Sequence, residues 1–393
     1  MKYIVYLFLF LMIFTNAFAL NSVLTPSFAI SFLLILDYLR FPKKSFQSKP
    51  HYLLYFWLLL TFSFIVMSDG EKCRNHWLLW TYPFFTYFFV FKNELSRLFT
   101  LEEIKSKVVK VIAYATIFAC AFSTFEFCCS NFLGIDLSFI PRGTVEDYTP
   151  FDGFFRARSF AEESGHFSFF VEIFGPLSIY WILNNLKASF KLVTIGVIVL
   201  GLVATMSAVG LLFMFVYIGM FANFYIVEQN SKVSAKILFL VSLIAFLVVI
   251  TVVYPEVFST IWDLIMMKLN PENVSHADRA SRFSAIEKMS GIAYLIGYGP
   301  AAFSTLNVDS FISFYLGVFM NTGIIGLWLF LCFCLSIFHK IKSIRDANLR
   351  FALKTSFFFA CAHLAFIDII YVPWFWVMLS IAEVVSKKNS EII

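Results

Sequence analysis

The chain has 393 residues, 60% of them hydrophobic and 14% charged, with 53 phenylalanines, a mean hydropathy of +0.82 and a net charge of +5. That much apolar surface does not fit inside one soluble core, so the natural solvent is a bilayer and the chain reads as an integral membrane protein. The small basic excess sits in short loops between apolar runs, which gives no ground for nucleic-acid binding, and the seven cysteines show neither a paired extracellular framework nor CxxC metal spacing.

The N-terminal stretch MKYIVYLFLFLMIFTNAFALNS has one lysine, an apolar run and an A-x-A at Ala17 to Ala19, which imitates a secretory signal peptide. It is read here as an uncleaved first helix, and both readings start the next segment outside. Apolar runs follow along the chain near 3–20, 22–39, 51–67, 77–91, 111–130, 166–183, 192–207, 209–227, 237–253, 311–338, 354–370 and 372–386. At the helical rise per residue these runs cross a hydrocarbon core of about 30 Å, which predicts an all-α polytopic membrane protein of about twelve transmembrane helices. With Lys2 in the cytoplasm, alternation places most lysines inside, in RFPKKSFQSK, KNELSRLFTLEEIKSKVVK and HKIKSIRDANLRFALK. The segment GIAYLIGYGPAAF (291–303) is short, broken by glycine and carries Pro300, so it is expected to be a surface or re-entrant piece.

The predicted organisation is N-terminal transmembrane helices over 1–130, a first large outer loop over 131–165, central helices over 166–253, a second large outer loop over 254–310 and C-terminal helices over 311–393. Inner loops are short, so function is sought outside. The inner side is held mainly by lysine, whereas Arg74, Arg142, Arg156, Arg158, Arg279 and Arg282 fall outside. Lysine suffices for topology, but the flat fork of arginine suits phosphate oxygens.

The stretch FFRARSFAEESGHFSFF (154–170) sets Arg156, Arg158, Glu162, Glu163 and His166 against the mouth of an apolar helix. Charges so placed are costly and ask for a functional reason. Glu126, Glu172 and Asp368 fall near the outer ends of their predicted helices and would surround the same mouth. In HADRASRFSAIEKMSG (276–291), Arg279 and Arg282 would share a helical face. Two arginine pairs, one from each outer loop, can grip a pyrophosphate, or they can form ordinary loop salt bridges with Glu162, Glu163, Asp278 and Glu287. His166 is either an acid/base group or an interfacial histidine at a helix start. His363, within an apolar run, reads as a helix-to-helix hydrogen-bonding residue.

In order and sidedness these features resemble the O-antigen polymerase (Wzy-type) family, within the O-antigen polymerase and ligase superfamily. RARSFAEESGHF is similar to that family's arginine followed by a Glu-Pro-x-His-Phe-like helix entry, with Arg156, Glu163 and His166 on the matching positions and Ser164 where proline is usual. Ser207 and Gly210 in TMSAVGLLFMF resemble the hairpin that starts the family's next helix. LIGYGPAAF resembles its Leu-x-Gly-x-Gly-x-x-x-Phe element, and DSFISFYLGVFMNTGIIGLWLF its closing segment with Gly-x-x-Gly. Asp309 and Ser310 stand where ligases carry a His-Asn pair, a departure that favours polymerase over ligase.

The resemblance covers about 140 to 340 and implies a GT-C-like glycosyltransferase of the bacterial inner membrane with its active site facing the periplasm. Its donor and acceptor would both be undecaprenyl-pyrophosphate-linked oligosaccharides, with the bilayer as surroundings and a chain-length regulator membrane protein as a candidate partner. Arg156, Arg158, Arg279 and Arg282 would stabilise pyrophosphate without a metal or other cofactor. Glu163 would be the base or position the acceptor, with His166 and Asp309 behind it. The competing expectations are an O-antigen ligase acting on lipid A-core and a lipid-linked oligosaccharide flippase, which should show paired halves.

Overall fold

The computed structural model describes residues 1–15, 17–19, 24–41, 51–67, 71–135, 137, 140, 142, 155–227, 284–308, 311, 313–369 and 371–391. Among them the chain is all-helical, with no strand. The helices are α1 (Lys2–Leu11), α2 (Pro26–Arg40), α3 (His51–Met67), α4 (Glu71–Tyr82), α5 (Phe91–Leu98), α6 (Leu101–Glu103), α7 (Val109–Cys128), α8 (Ser164–Asn185), α9 (Ala188–Val203) and α10 (Ala208–Val227). They continue with α11 (Ala293–Ile296), α12 (Ala302–Thr305), α13 (Phe314–Lys342), α14 (Ala347–His363) and α15 (Pro373–Ser390). π-helical turns over Pro83–Val90, Ile104–Val108 and Cys129–Leu133 join α4 to α5, join α6 to α7 and extend α7. Leu101–Leu133, Ser164–Asn185, Ala208–Tyr225 and Phe314–Lys342 are long and apolar enough to cross a membrane. In lipid each backbone donor and acceptor must be satisfied within the chain, which is why the apolar runs form helices.

Each expected apolar run falls on a helix, except 237–253, which lies outside the described residues. Two boundaries differ in an informative way. The first helix ends at Leu11, well before the apolar run does, and the carbonyl that Met12 leaves free accepts the indole Nε1–H of Trp374 at 2.8 Å. Further on, α14 begins at Ala347, where Asp346 caps the Leu349 N–H at 3.0 Å, and stops at His363. Asp368 therefore lies in a connection, outside any helix.

Two helices form the centre. α8 is buried continuously from Phe167 to Ile182 and packs against α7, α9, α10, α14 and α15. α15 is buried from Pro373 to Ser386 and lies against Pro83–Val90 and α13. A helix that is covered all round needs no polar face. Pro83 brings no N–H to its helix, and the carbonyls of Tyr87 and Phe88 in that π-helical turn accept Ser380 Oγ at 3.2 and 3.1 Å.

The expected surface or re-entrant piece, 291–303, is pressed into a break in α13. Gly323 has φ 65° and ψ −169° there, so the carbonyls of Met320 and Asn321 turn out of the helix. They accept the N–H groups of Tyr298 at 2.9 Å and Gly299 at 3.0 Å. A β-carbon on Gly297 would lie 2.2 Å from the Asn321 carbonyl carbon, and one on Gly323 would lie 2.2 Å from the Leu295 carbonyl carbon. Only glycine fits at both faces of this contact. Ser63 on α3 closes it by donating to the Ile296 carbonyl at 2.5 Å.

The two ends of the bundle differ in charge. At one end Lys2 and Lys107 meet Glu103 at 2.7 and 3.0 Å, Lys105 meets Asp346 at 3.2 Å, and Arg97 joins Asp37 to Glu94. Lys92 and Lys340 hold the buried Glu383 from two sides at 3.2 and 2.5 Å. We call this the lysine end. The N-terminus of α8 and the α14–α15 connection lie at the other, the mouth.

Candidate functional site

The site is built on the chain that enters α8. Residues 155–158 belong to no helix or strand, Ser159 turns back with φ 51°, and Glu163 precedes the helix with an extended backbone. Glu126 on α7 sets this path. Its carboxylate accepts the N–H groups of Arg158 at 3.0 Å and Ser159 at 2.8 Å and also pairs with the buried Arg142. Ser159 Oγ donates to the Ala119 carbonyl at 2.9 Å, and the Ala157 N–H to the Ala204 carbonyl at 3.0 Å. Glu126 was expected in the mouth itself; it is instead the clamp beneath the loop. A carboxylate with several N–H donors is well satisfied and has little lone-pair capacity left for a substrate.

Arg156 and Arg158, two residues apart, reach different partners. Arg156 Nε donates to the Thr205 carbonyl at 3.2 Å, in the turn between α9 and α10. Arg158 Nη1 donates to the Glu162 carbonyl at 3.1 Å, beside the start of α8. Both are partly exposed. Ser207 and Gly210 have a structural part: Ser207 Oγ accepts the Gly210 N–H at 3.3 Å and Ser168 Oγ–H at 3.2 Å, fastening α10 to α8.

Glu163 is exposed and His166 half-buried one turn along α8, within electrostatic reach of Glu163. Across the mouth stand Asp368 and Tyr371 of the α14–α15 connection. Burial, and then the neighbouring carboxylates of Glu162, Asp368 and Glu163, raise the Tyr371 phenol above its ordinary range. Burial pushes the Asp368 carboxyl up to about 7. Beneath the mouth His363 Nδ1 and Glu172 Oε2 are 2.5 Å apart, so His363 is the helix-to-helix residue its sequence position suggested. Glu172 is thereby part of the support of the mouth, not its lining.

Of the residues singled out from sequence, the structure thus brings Arg158, Glu163 and His166 together, with Arg156 on the adjoining turn. Arg279, Arg282 and Asp309 lie outside the described residues. The C-terminal part of the expected arginine helix, Ser284–Lys288, is a 3₁₀ turn. Asp368 and Tyr371 complete the mouth. Asp368 was legible only as an acid at a helix end, and Tyr371 gave no signal because its role depends on the fold. Among the described residues no group of three or more His, Cys, Asp and Glu side chains is disposed to hold a metal ion.

Tyr371 also lies on an apolar groove of about 590 Å³, lined by Phe28, Leu78, Leu79, Tyr82 and Phe85 among others. A polar mouth with arginine donors and carboxylates beside a greasy groove can hold an anionic headgroup and its hydrocarbon tail at once. No known protein family matches this chain, and no curated protein does.

Proposed function

We propose that this protein is an O-antigen polymerase, or one for a related surface polysaccharide, working at the periplasmic face of the bacterial inner membrane. It would move a growing glycan from undecaprenyl pyrophosphate onto a repeat unit also carried on undecaprenyl pyrophosphate. The observation that carries this reading is the gathering, at one end of the bundle, of Arg156, Arg158, Glu163 and His166, with Tyr371, which Glu163 faces electrostatically, lying on an apolar groove. The resemblance of RARSFAEESGHF to the polymerase motif supports it. So does the clustering of Lys2, Lys92, Lys105, Lys107 and Lys340 at the opposite end, which suits a cytoplasmic face for a bundle of about twelve spans.

In this reading the acceptor hydroxyl attacks the anomeric carbon of the donor, the bond to pyrophosphate breaks, and the leaving group departs with the electron pair. Arg156, Arg158, Arg279 and Arg282 stabilise its negative charge. Glu163 and His166 stand on the acceptor side and orient the hydroxyl or take its proton. The groove shelters a polyprenyl tail.

The test is the lipopolysaccharide of a strain lacking this gene. A single repeat on each core is expected, with the full ladder restored by the wild-type gene. A core without any repeat would point to a ligase or flippase and overturn the polymerase reading.

A further inference from the structure

The mouth contains a carboxylate that the reading above leaves unused. Asp368 is half-buried in the α14–α15 connection, and among the described residues no hydrogen bond or ion pair reaches its carboxylate. Its Oδ2 lies against α13, where a β-carbon on Gly317 would stand 3.0 Å away. An acid partly withdrawn from water without a pairing group is costly, and native folds seldom keep one without a use. Three other acids differ from it. Glu126 and Glu383 are saturated by donors, and Glu163 is exposed to solvent.

We infer that Asp368 is the general base of the transfer, set between the acidic start of α8 and the apolar groove on which Tyr371 lies. The inference rests on the polymerase reading and deepens it. The proton of the acceptor hydroxyl passes to an Asp368 Oδ as the new glycosidic C–O bond forms and the C–O bond to pyrophosphate breaks. Glu163 is left to hold the acceptor sugar through hydrogen bonds. A carboxylate withdrawn from water becomes a stronger base, and burial brings that of Asp368 towards neutral pH.

The titratable neighbour of Asp368 on its own connection is Tyr371, which Glu162 and Glu163 at the start of α8 face in turn, while His363 at the end of α14 is engaged by Glu172. From α13 the neighbour is Gly317, which has no charge. Burial opposes ionisation of Asp368. A rate that needs the ionised form therefore rises with pH through the neutral range.

The experiment uses the purified full-length protein in liposomes, with a pyrophosphate-linked polyprenyl repeat unit as both donor and acceptor and bond formation read from product length on gels. The wild-type rate is expected to rise to a plateau with a midpoint where burial places the Asp368 carboxyl, at about 7. Asp368→Asn should lower the plateau by about 10²-fold or more and remove the pH limb. Asp368→Glu should keep a pH limb at a displaced midpoint. Gly317→Ala presses a methyl group on the carboxylate and should displace the limb with the protein still folded. It carries the test alone if Asp368→Asn fails to accumulate.

A near-normal rate with Asp368→Asn, or an unmoved limb with Gly317→Ala, overturns the inference and leaves the polymerase reading standing. A folded wild-type protein that joins no repeats from this substrate overturns both.

Discussion

The two ends of the bundle use charge in opposite ways. At the lysine end Glu383 is enclosed between Lys92 and Lys340, and Glu103 is shared by Lys2 and Lys107. Beneath the mouth, Glu126 is held by two backbone N–H groups and Arg142, while among the described residues no hydrogen bond reaches the carboxylates of Glu163 or Asp368. Charges that only position a chain can neutralise one another completely. Charges meant for a substrate must keep some of their capacity open, at a cost in stability. The contrast separates a face that anchors from a face that acts.

The strongest way to break this comparison is to alter the mouth without altering the fold. Glu163→Gln keeps size and shape but removes the negative charge, and Arg156→Lys or Arg282→Lys keeps charge but removes the fork. Each is expected to cut polymerisation by about 10²-fold or more, with loss of long glycan chains at normal membrane levels by immunoblot. Arg74→Lys is the reference and should leave the ladder intact. If all four variants look alike, the mouth is a charged collar and the contrast between the ends has no functional content.

A smaller effect of another kind is expected at the lysine end. Glu383→Gln strands Lys92, which is fully buried, and should destabilise the protein by about 3–5 kcal/mol. Thermal unfolding in detergent would show it, while the activity of each surviving molecule stays unchanged. Loss of specific activity at normal stability would mean that this end also acts.

Glu126→Gln falls between the two regimes. It keeps the outline of the clamp but weakens bonds to the Arg158 and Ser159 N–H groups, costing about 1–3 kcal/mol. Limited proteolysis should find 155–163 more accessible, and polymerisation should drop less than with Glu163→Gln. The smallest change is expected from Lys107→Ala, which removes one of two lysines on Glu103 in an exposed setting. Its melting temperature and glycan ladder should both match the wild type.

The helices were legible because apolar run length is a local property and lipid leaves the backbone little alternative. Their ends were less so. Leu11 terminates α1 where Met12 can serve Trp374, a partner that no local pattern discloses. In the site, Glu163 and His166 could be named because they share one helix entry, and His363 because an imidazole in an apolar run needs a polar neighbour. Glu126 looked like a lining residue since its sequence position fits the mouth equally well; only the turn at Ser159 shows that the loop folds over it. Asp368 escaped assignment because its isolation from partners is a property of the assembled fold. The glycines of LIGYGPAAF were visible as a motif, but their reason, backbone-to-backbone contact with α13 at Gly323, was not.

The bond from Trp374 to Met12 spans 362 positions of sequence, and Ser380 similarly reaches back to Tyr87 and Phe88 across 293 and 292. A ribosome delivers α1 and the π-helical turn to the membrane long before it delivers α15. Until then those carbonyls face lipid or passing water, and the surfaces that α15 will cover stay open to other hydrophobic chains. Nascent protein is therefore most exposed to membrane chaperones and proteases during synthesis of the intervening segments. A stop codon ahead of Pro373 would leave this interval permanent, so such a product is expected to be cleared and not to persist as a shorter protein.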